Sequence, residues 1–147
     1  MASQEGISQD QTVDPGIDTK LATHNIWETL GRLNQCGNIR QLIGGKDLQY
    51  LLERVELQTF LAPADDSWNS NVEDEVGQKL VEGQLLTRLF HSYDLETTDQ
   101  VQTLAGERIP IKRDAGTLFV GGARLLKTDI PCTNGVIHVV EGLTGRK

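Results

Sequence analysis

The chain changes its hydrophobic rhythm once, near Asp94, and that change limits the folds open to it. Before it, apolar residues recur at helical spacing. Ile26, Leu30 and Leu33 stand at i, i+4 and i+7, with Trp27 beside them, which gives one apolar helix face. After it, Val101, Leu104, Ile109, Ile111, Leu118, Val120, Leu125, Ile130, Val136, Ile137, Val139 and Val140 fall in short segments divided by glycine-containing turns. Short apolar segments between such turns are the pattern of antiparallel strands. Helices first and strands after predict an α+β domain, since a parallel α/β fold alternates the two. The 147 residues suit one domain with its own core.

Local signals place the elements. A helix is expected from Asn25, with Gly37 as its C-cap, then short helices over Ile39 to Ile43 and Leu48 to Glu53. Gln58 to Pro63 is an apolar run stopped by proline and reads as a buried strand. Asp65 or Asp66 is placed to cap the structure that follows. Leu85, Leu86, Leu89 and Phe90 suggest a helix over Val81 to Phe90. Turns are expected at Ala105-Gly106-Glu107, Asp114-Ala115-Gly116, Gly121-Gly122 and Asn134-Gly135. Residues 1–18 are polar and aperiodic, with Pro15-Gly16 near their end, and are expected to form a disordered tail on a domain of residues 19–147.

Charge and composition narrow the function classes. The formal net charge is -7, which opposes binding to a phosphate backbone, so no nucleic-acid partner is expected. Arg108, Lys112, Arg113 and Arg124 are interspersed with acids and read as a solvated surface. No apolar run approaches the roughly 20 residues of a membrane span. The first 20 residues lack the basic and apolar regions of a signal peptide, which leaves an intracellular protein or a secreted one with its leader removed. There is no Asn-x-Ser/Thr site, which disfavours heavy glycosylation. Cys36 and Cys132 show no metal-ligand spacing and are either a distant disulfide or, the favoured reading, two free buried thiols.

Three separated motifs resemble fasciclin domains. Thr59-Phe60-Leu61-Ala62-Pro63-Ala64-Asp65-Asp66-Ser67-Trp68 looks like the family's first signature, and Asn134-Gly135-Val136-Ile137-His138-Val139-Val140-Glu141 is very close to its second. Leu89-Phe90-His91 resembles the Tyr-His element between them, and Asp129-Ile130 also fits. The match departs at Phe90, where a tyrosine is usual, at Ala64, where threonine or serine is common, and at Ser92-Tyr93, where small β-branched residues are usual. The resemblance implies a wedge-shaped β-sandwich with helices packed on one side. It also implies a family known mainly for adhesion and matrix contact, in which Thr59, Pro63, Asp65, Asn134, Gly135 and His138 are structural motif residues.

Candidate chemistry is sparse. His138 lies inside an apolar strand, facing opposite to Ile137 and Val139, and reads as a structural histidine. His91 is expected at a helix C-terminus. The three histidines and two cysteines show no metal spacing, and Glu73-Asp74-Glu75 lacks the alternation of a calcium loop, so neither metal nor cofactor is expected. Ser67 and Ser92 lie outside any Gly-x-Ser-x-Gly turn. Two functions remain. One is an interaction module that binds a protein or glycan through Phe90, His91, Ser92 and Tyr93. The other is a small-molecule or acid–base site using His91 and Tyr93 with a carboxylate such as Asp65 or Asp94.

Overall fold

A computed structural model describes residues 22–68 and 74–144. The tail expected over residues 1–18 and the acidic residue Glu73 lie outside them. Helix α1 spans Ile26–Leu30. Asn25 starts it with a capping box: its side chain accepts from the Glu28 amide at 2.8 Å, and Glu28 Oε1 accepts from the Asn25 amide at 3.0 Å. Ile26 and Leu30 form its buried stripe, and Gly31 ends it.

Helix α2 spans Gly37–Gly45 and buries Ile39, Leu42 and Ile43. Gly37 therefore opens the second helix and does not close the first. The reason is long-range: the Asp65 carboxylate accepts from the Gly37 and Asn38 amides at 3.3 and 2.6 Å. Those two amides are unpaired within the helix, and a carboxylate there also meets the positive end of the dipole. Asp65 thus caps α2 and not the structure that follows it. The third expected helix is reduced to one 3-10 turn at Gln49–Leu51.

Strand β1 spans Gln58–Pro63. Helix α3 covers Asp74–Gly83, β2 is the pair Leu85–Leu86, and α4 is the single turn Ser92–Leu95. The helix expected to run from Val81 to Phe90 therefore stops at Gly83. Glycine is the costliest helix residue after proline, and Leu85 and Leu86 gain ladder bonds by pairing antiparallel with Phe60 and Thr59. The remaining strands are β3 (Gln100–Gln102), β4 (Arg108–Asp114), β5 (Thr117–Val120), β6 (Ala123–Cys132) and β7 (Gly135–Glu141).

The seven strands form one sheet in the order β2-β1-β7-β6-β5-β4-β3. A bridge between Leu86 and Thr103 joins the β2 edge to the end of β3, so the sheet nearly closes on itself. Its pairings are antiparallel except β1 with β7, which is parallel. These two strands are buried on both faces, as parallel strands usually are. On one face Phe60, Ala62, Ile137 and Val139 pack against Ile26, Leu30, Ile39 and Ile43 of the helices. On the other, Leu61 and Val140 join Leu86, Leu95, Val101, Ile109, Ile111 and Val120 inside the curved sheet.

The tight turns fall where glycine was found. Ala115-Gly116 joins β4 to β5 and Gly121-Gly122 joins β5 to β6, with positive φ at all four residues. The last hairpin is different: its turn is Thr133-Asn134, and Gly135 is already the first residue of β7, paired with Cys132. Cys36 and Cys132 are free and buried, and desolvation pushes their thiols up to about 12 and about 11. No helix of the described residues is long and apolar enough to cross a membrane.

Candidate functional site

The loop from Arg88 to Leu95 is where the sequence motifs meet. Two buried side chains on the same face of adjacent parallel strands hold it. Thr59 of β1 donates to the Arg88 carbonyl at 2.8 Å, and its hydroxyl oxygen accepts from the Phe90 amide at 2.8 Å. His138 of β7 donates from Nε2 to the Phe90 carbonyl at 2.7 Å. Both backbone groups of Phe90 are thus satisfied by the interior of the sheet.

The second nitrogen of His138 is occupied as well. Nδ1 accepts from the Asp129 amide at 3.0 Å, which fixes the neutral imidazole with its proton on Nε2. Burial lowers the histidine's pKa below its ordinary value. The Phe90 carbonyl and the Asp129 charge oppose that shift without overcoming it. His138 is fully buried. It is a frame member, with neither nitrogen left for a substrate.

Asp129 reaches the loop through a backbone irregularity. The β6–β7 register shifts between Lys127 and Ile130, and Asp129 has φ 61°, a left-handed conformation unusual for a non-glycine residue. This bulge turns its carboxylate to the start of α4, where it accepts from the Ser92 amide at 2.8 Å and from the Ser92 hydroxyl. Burial alone would raise its pKa. Hydrogen bonds from Ser92, the nearby His138 and a Thr128 side-chain bond hold it below the ordinary carboxylate range.

His91 is the N-cap of α4, so it sits at the opposite helix end from the one expected. Its amide donates to Asp94 Oδ2 at 2.9 Å, and its Nδ1 lies 3.7 Å from the same oxygen. The Tyr93 ring stacks on the His91 ring at a centroid distance of 5.2 Å and an interplanar angle of 6°. The Tyr93 hydroxyl is 3.3 Å from His91 Nδ1. Tyr93 is 66% exposed and the His91 side chain 14%, so the Tyr93 ring covers a mostly buried imidazole and presents the aromatic surface to solvent.

Of the residues singled out from the sequence, the fold brings Thr59, Phe90, His91, Ser92, Tyr93, Asp94 and His138 into one network. Asp65 is committed to α2 instead. Ser67 bonds the Ala64 carbonyl and the Gly142 amide. Asn134 ties together the other end of β7: its side chain accepts from the Ile26 amide and donates to the Leu52 and Arg54 carbonyls. The central role of Asp129 was not legible beyond its place beside Ile130. The one local hint is the polar stretch Lys127-Thr128-Asp129 interrupting an apolar strand. Among the described residues no group of three His, Cys, Asp or Glu side chains is arranged to hold a metal.

Residues 34–143 match the family model of the Fasciclin domain. The fasciclin-like arabinogalactan protein CTB11 of Cercospora beticola is 25% identical over 145 residues, covering 92% of this chain and 38% of that protein. Periostin of Homo sapiens is 26% identical over 135 residues, covering 84% of this chain and 16% of periostin. The chain therefore spans well under half the length of these relatives. The FAS1 domain pair of the insect cell adhesion molecule Fasciclin I superposes with a TM-score of 0.69 over 84% of this chain and 51% of that one, at 14% identity, and shares the fold. With the family model matched over most of its length, the chain belongs to the fasciclin domain family.

Proposed function

We propose that this domain is an interaction module that binds a protein or glycan partner through the His91–Tyr93 face. The observation that carries the reading is the contrast between the exposed Tyr93 ring and the buried frame beneath it. Tyr93 is 66% exposed and stacked on His91, while the backbone beneath is fixed by Thr59, His138 and Asp129. An aromatic surface held rigid before binding loses little entropy on docking, and tyrosine offers both an apolar face and a hydroxyl. The cell adhesion role of the insect relative supports the reading by analogy of fold.

An acid–base site at His91 is the second reading, and the 3.7 Å approach of Asp94 to Nδ1 is what favours it. Two facts weigh against it: His138 has both nitrogens bonded, and Asp65 caps a different element. The test is a glycan array together with an aggregation assay on beads coated with the chain. Tyr93→Ala and His91→Ala are expected to weaken binding about tenfold or more with an unchanged melting temperature. Wild-type binding by both variants would remove the proposal. Hydrolysis of 4-nitrophenyl acetate that disappears in His91→Ala would favour the catalytic reading instead.

A further inference from the structure

The outer face of β3, β4 and β5 carries a recess whose linings include neither His91 nor Tyr93. A cavity of about 840 Å3 lies over β4 and β5, bordered by Arg108, Pro110, Lys112 and Phe119. A smaller one of about 170 Å3, bordered by Arg88, Phe90, Gln100 and Gln102, also includes Arg108 and reaches the Arg88–Leu95 loop at Phe90. The shared arginine makes them one strip. Strand alternation explains its composition: Ile109 and Ile111 point into the core, so Arg108, Pro110 and Lys112 point out. Lys112 pairs with Phe119 across the ladder, and Gln100 and Gln102 pair with Pro110 and Arg108. The side chains of Arg108 and Lys112 read as scattered surface charge in the sequence, and the fold sets them in a row.

The cations of this row differ from the other basic residues nearby. Arg124 is paired with Glu141 at 2.9 Å, and Arg113 donates to the carbonyls of Leu95 and Glu96. Among the described residues, Arg88, Arg108 and Lys112 make no ion pair. Glu107, just before β4, and Asp114, at its end, line the same cavity and bound the strip. In a chain of net charge -7, this is a local basic track and not part of a general attraction for polyanions.

We propose that this strip binds an acidic oligosaccharide, a short chain of sugars carrying carboxylates. Arg108 and Lys112 are four residues apart on one strand face, roughly 13 Å at the strand rise, too far for one small carboxylate to reach both. An extended polyanion reaches both. Pro110 between the two cations and Phe119 beside Lys112 offer apolar surfaces for the faces of sugar rings, and the Gln100 and Gln102 amides both donate to and accept from hydroxyls. A peptide adding as a strand has no place here, because β4 and β5 are paired on both sides.

The full chain, 15N-labelled, is titrated with a hexamer of galacturonic acid. Saturable shifts are expected at the amides of residues 100–102 and 108–122. The carboxyl-reduced hexamer and a hexaglutamate peptide are each expected to bind at least about tenfold more weakly, and Arg108→Ala and Lys112→Ala to weaken the uronate by about tenfold each. Both side chains are exposed, and unchanged spectra of the unliganded variants confirm that they fold. Tyr93→Ala is expected to leave uronate binding intact, which separates this strip from the His91–Tyr93 face. The proposal is overturned by absent saturation, by equal binding of the reduced hexamer or of hexaglutamate, or by loss of binding in Tyr93→Ala.

Discussion

Thr59 and His138 show how two buried polar side chains position a surface loop. Thr59 is fully buried, and its hydroxyl is the partner of the Phe90 amide. Thr59→Val keeps the shape but leaves that amide and the Arg88 carbonyl without a partner, and an unsatisfied buried group costs about 1–3 kcal/mol. Chemical denaturation should show a loss in that range. His138→Ala removes two bonds and opens a cavity, so a larger loss, on the order of 3 kcal/mol, is expected. A thermal melt that does not move for His138→Ala would mean that the imidazole is not a strut of the loop. The structural reading of this histidine was accessible from sequence, because strand alternation set it opposite Ile137 and Val139. Its partners were not, since Phe90 and Asp129 come from other elements. The Asp129 carboxylate depends on a left-handed φ that no glycine announces.

At the scale of elements, the legible parts were those whose signals are local. Gln58 to Pro63 and Val136 to Val140 are continuous apolar runs, and both are central strands. Ala115-Gly116 and Gly121-Gly122 are turns in which glycine takes three of the four positive-φ positions and Ala115 the fourth. Leu85-Leu86 was misread because its apolar spacing continues the helical period of α3, and only pairing with β1 decides otherwise. A turn was expected at Asn134-Gly135, and Gly135 does have a positive φ. The structure adds a second reason for the glycine. Gly135 has φ 152°, and a Cβ there would lie 1.8 Å from the Gln58 carbonyl oxygen. That clash is with backbone at the first rung of the parallel β1–β7 pairing. Gly122 has φ 88° with open space around it. Gly122→Ala is therefore expected to cost about 1–2 kcal/mol from strain alone, and Gly135→Ala on the order of 3 kcal/mol or more, with poor soluble yield. Equal denaturant midpoints for the two variants would show that the β1–β7 approach is not what Gly135 serves.

For the whole molecule, the frame beneath the loop links stability to pH. His138 and Asp129 both have folded-state pKa values below their ordinary values of 6.5 and 3.8. In each case the unfolded chain binds protons more readily than the folded one, so stability rises with pH across the interval between the two values. The histidine contribution is complete above about 6.5 and is lost as the pH falls toward its lower folded value. The aspartate contribution is complete above about 3.8 and is lost below it in the same way. Acidification should therefore weaken the domain in two steps, the first beginning near pH 6.5. Protonating His138 at Nδ1 would set two donors against each other, since that atom accepts the Asp129 amide. The same event loosens the Phe90 anchor and, through Asp129, the Ser92 end of α4. Urea denaturation at intervals from pH 8 to pH 3 measures the effect. His138→Gln should remove the first step and retain the second, while Asp129→Asn should reduce the second. A wild-type stability that stays level between pH 7 and pH 5 would show that His138 can take a proton without disturbing the fold.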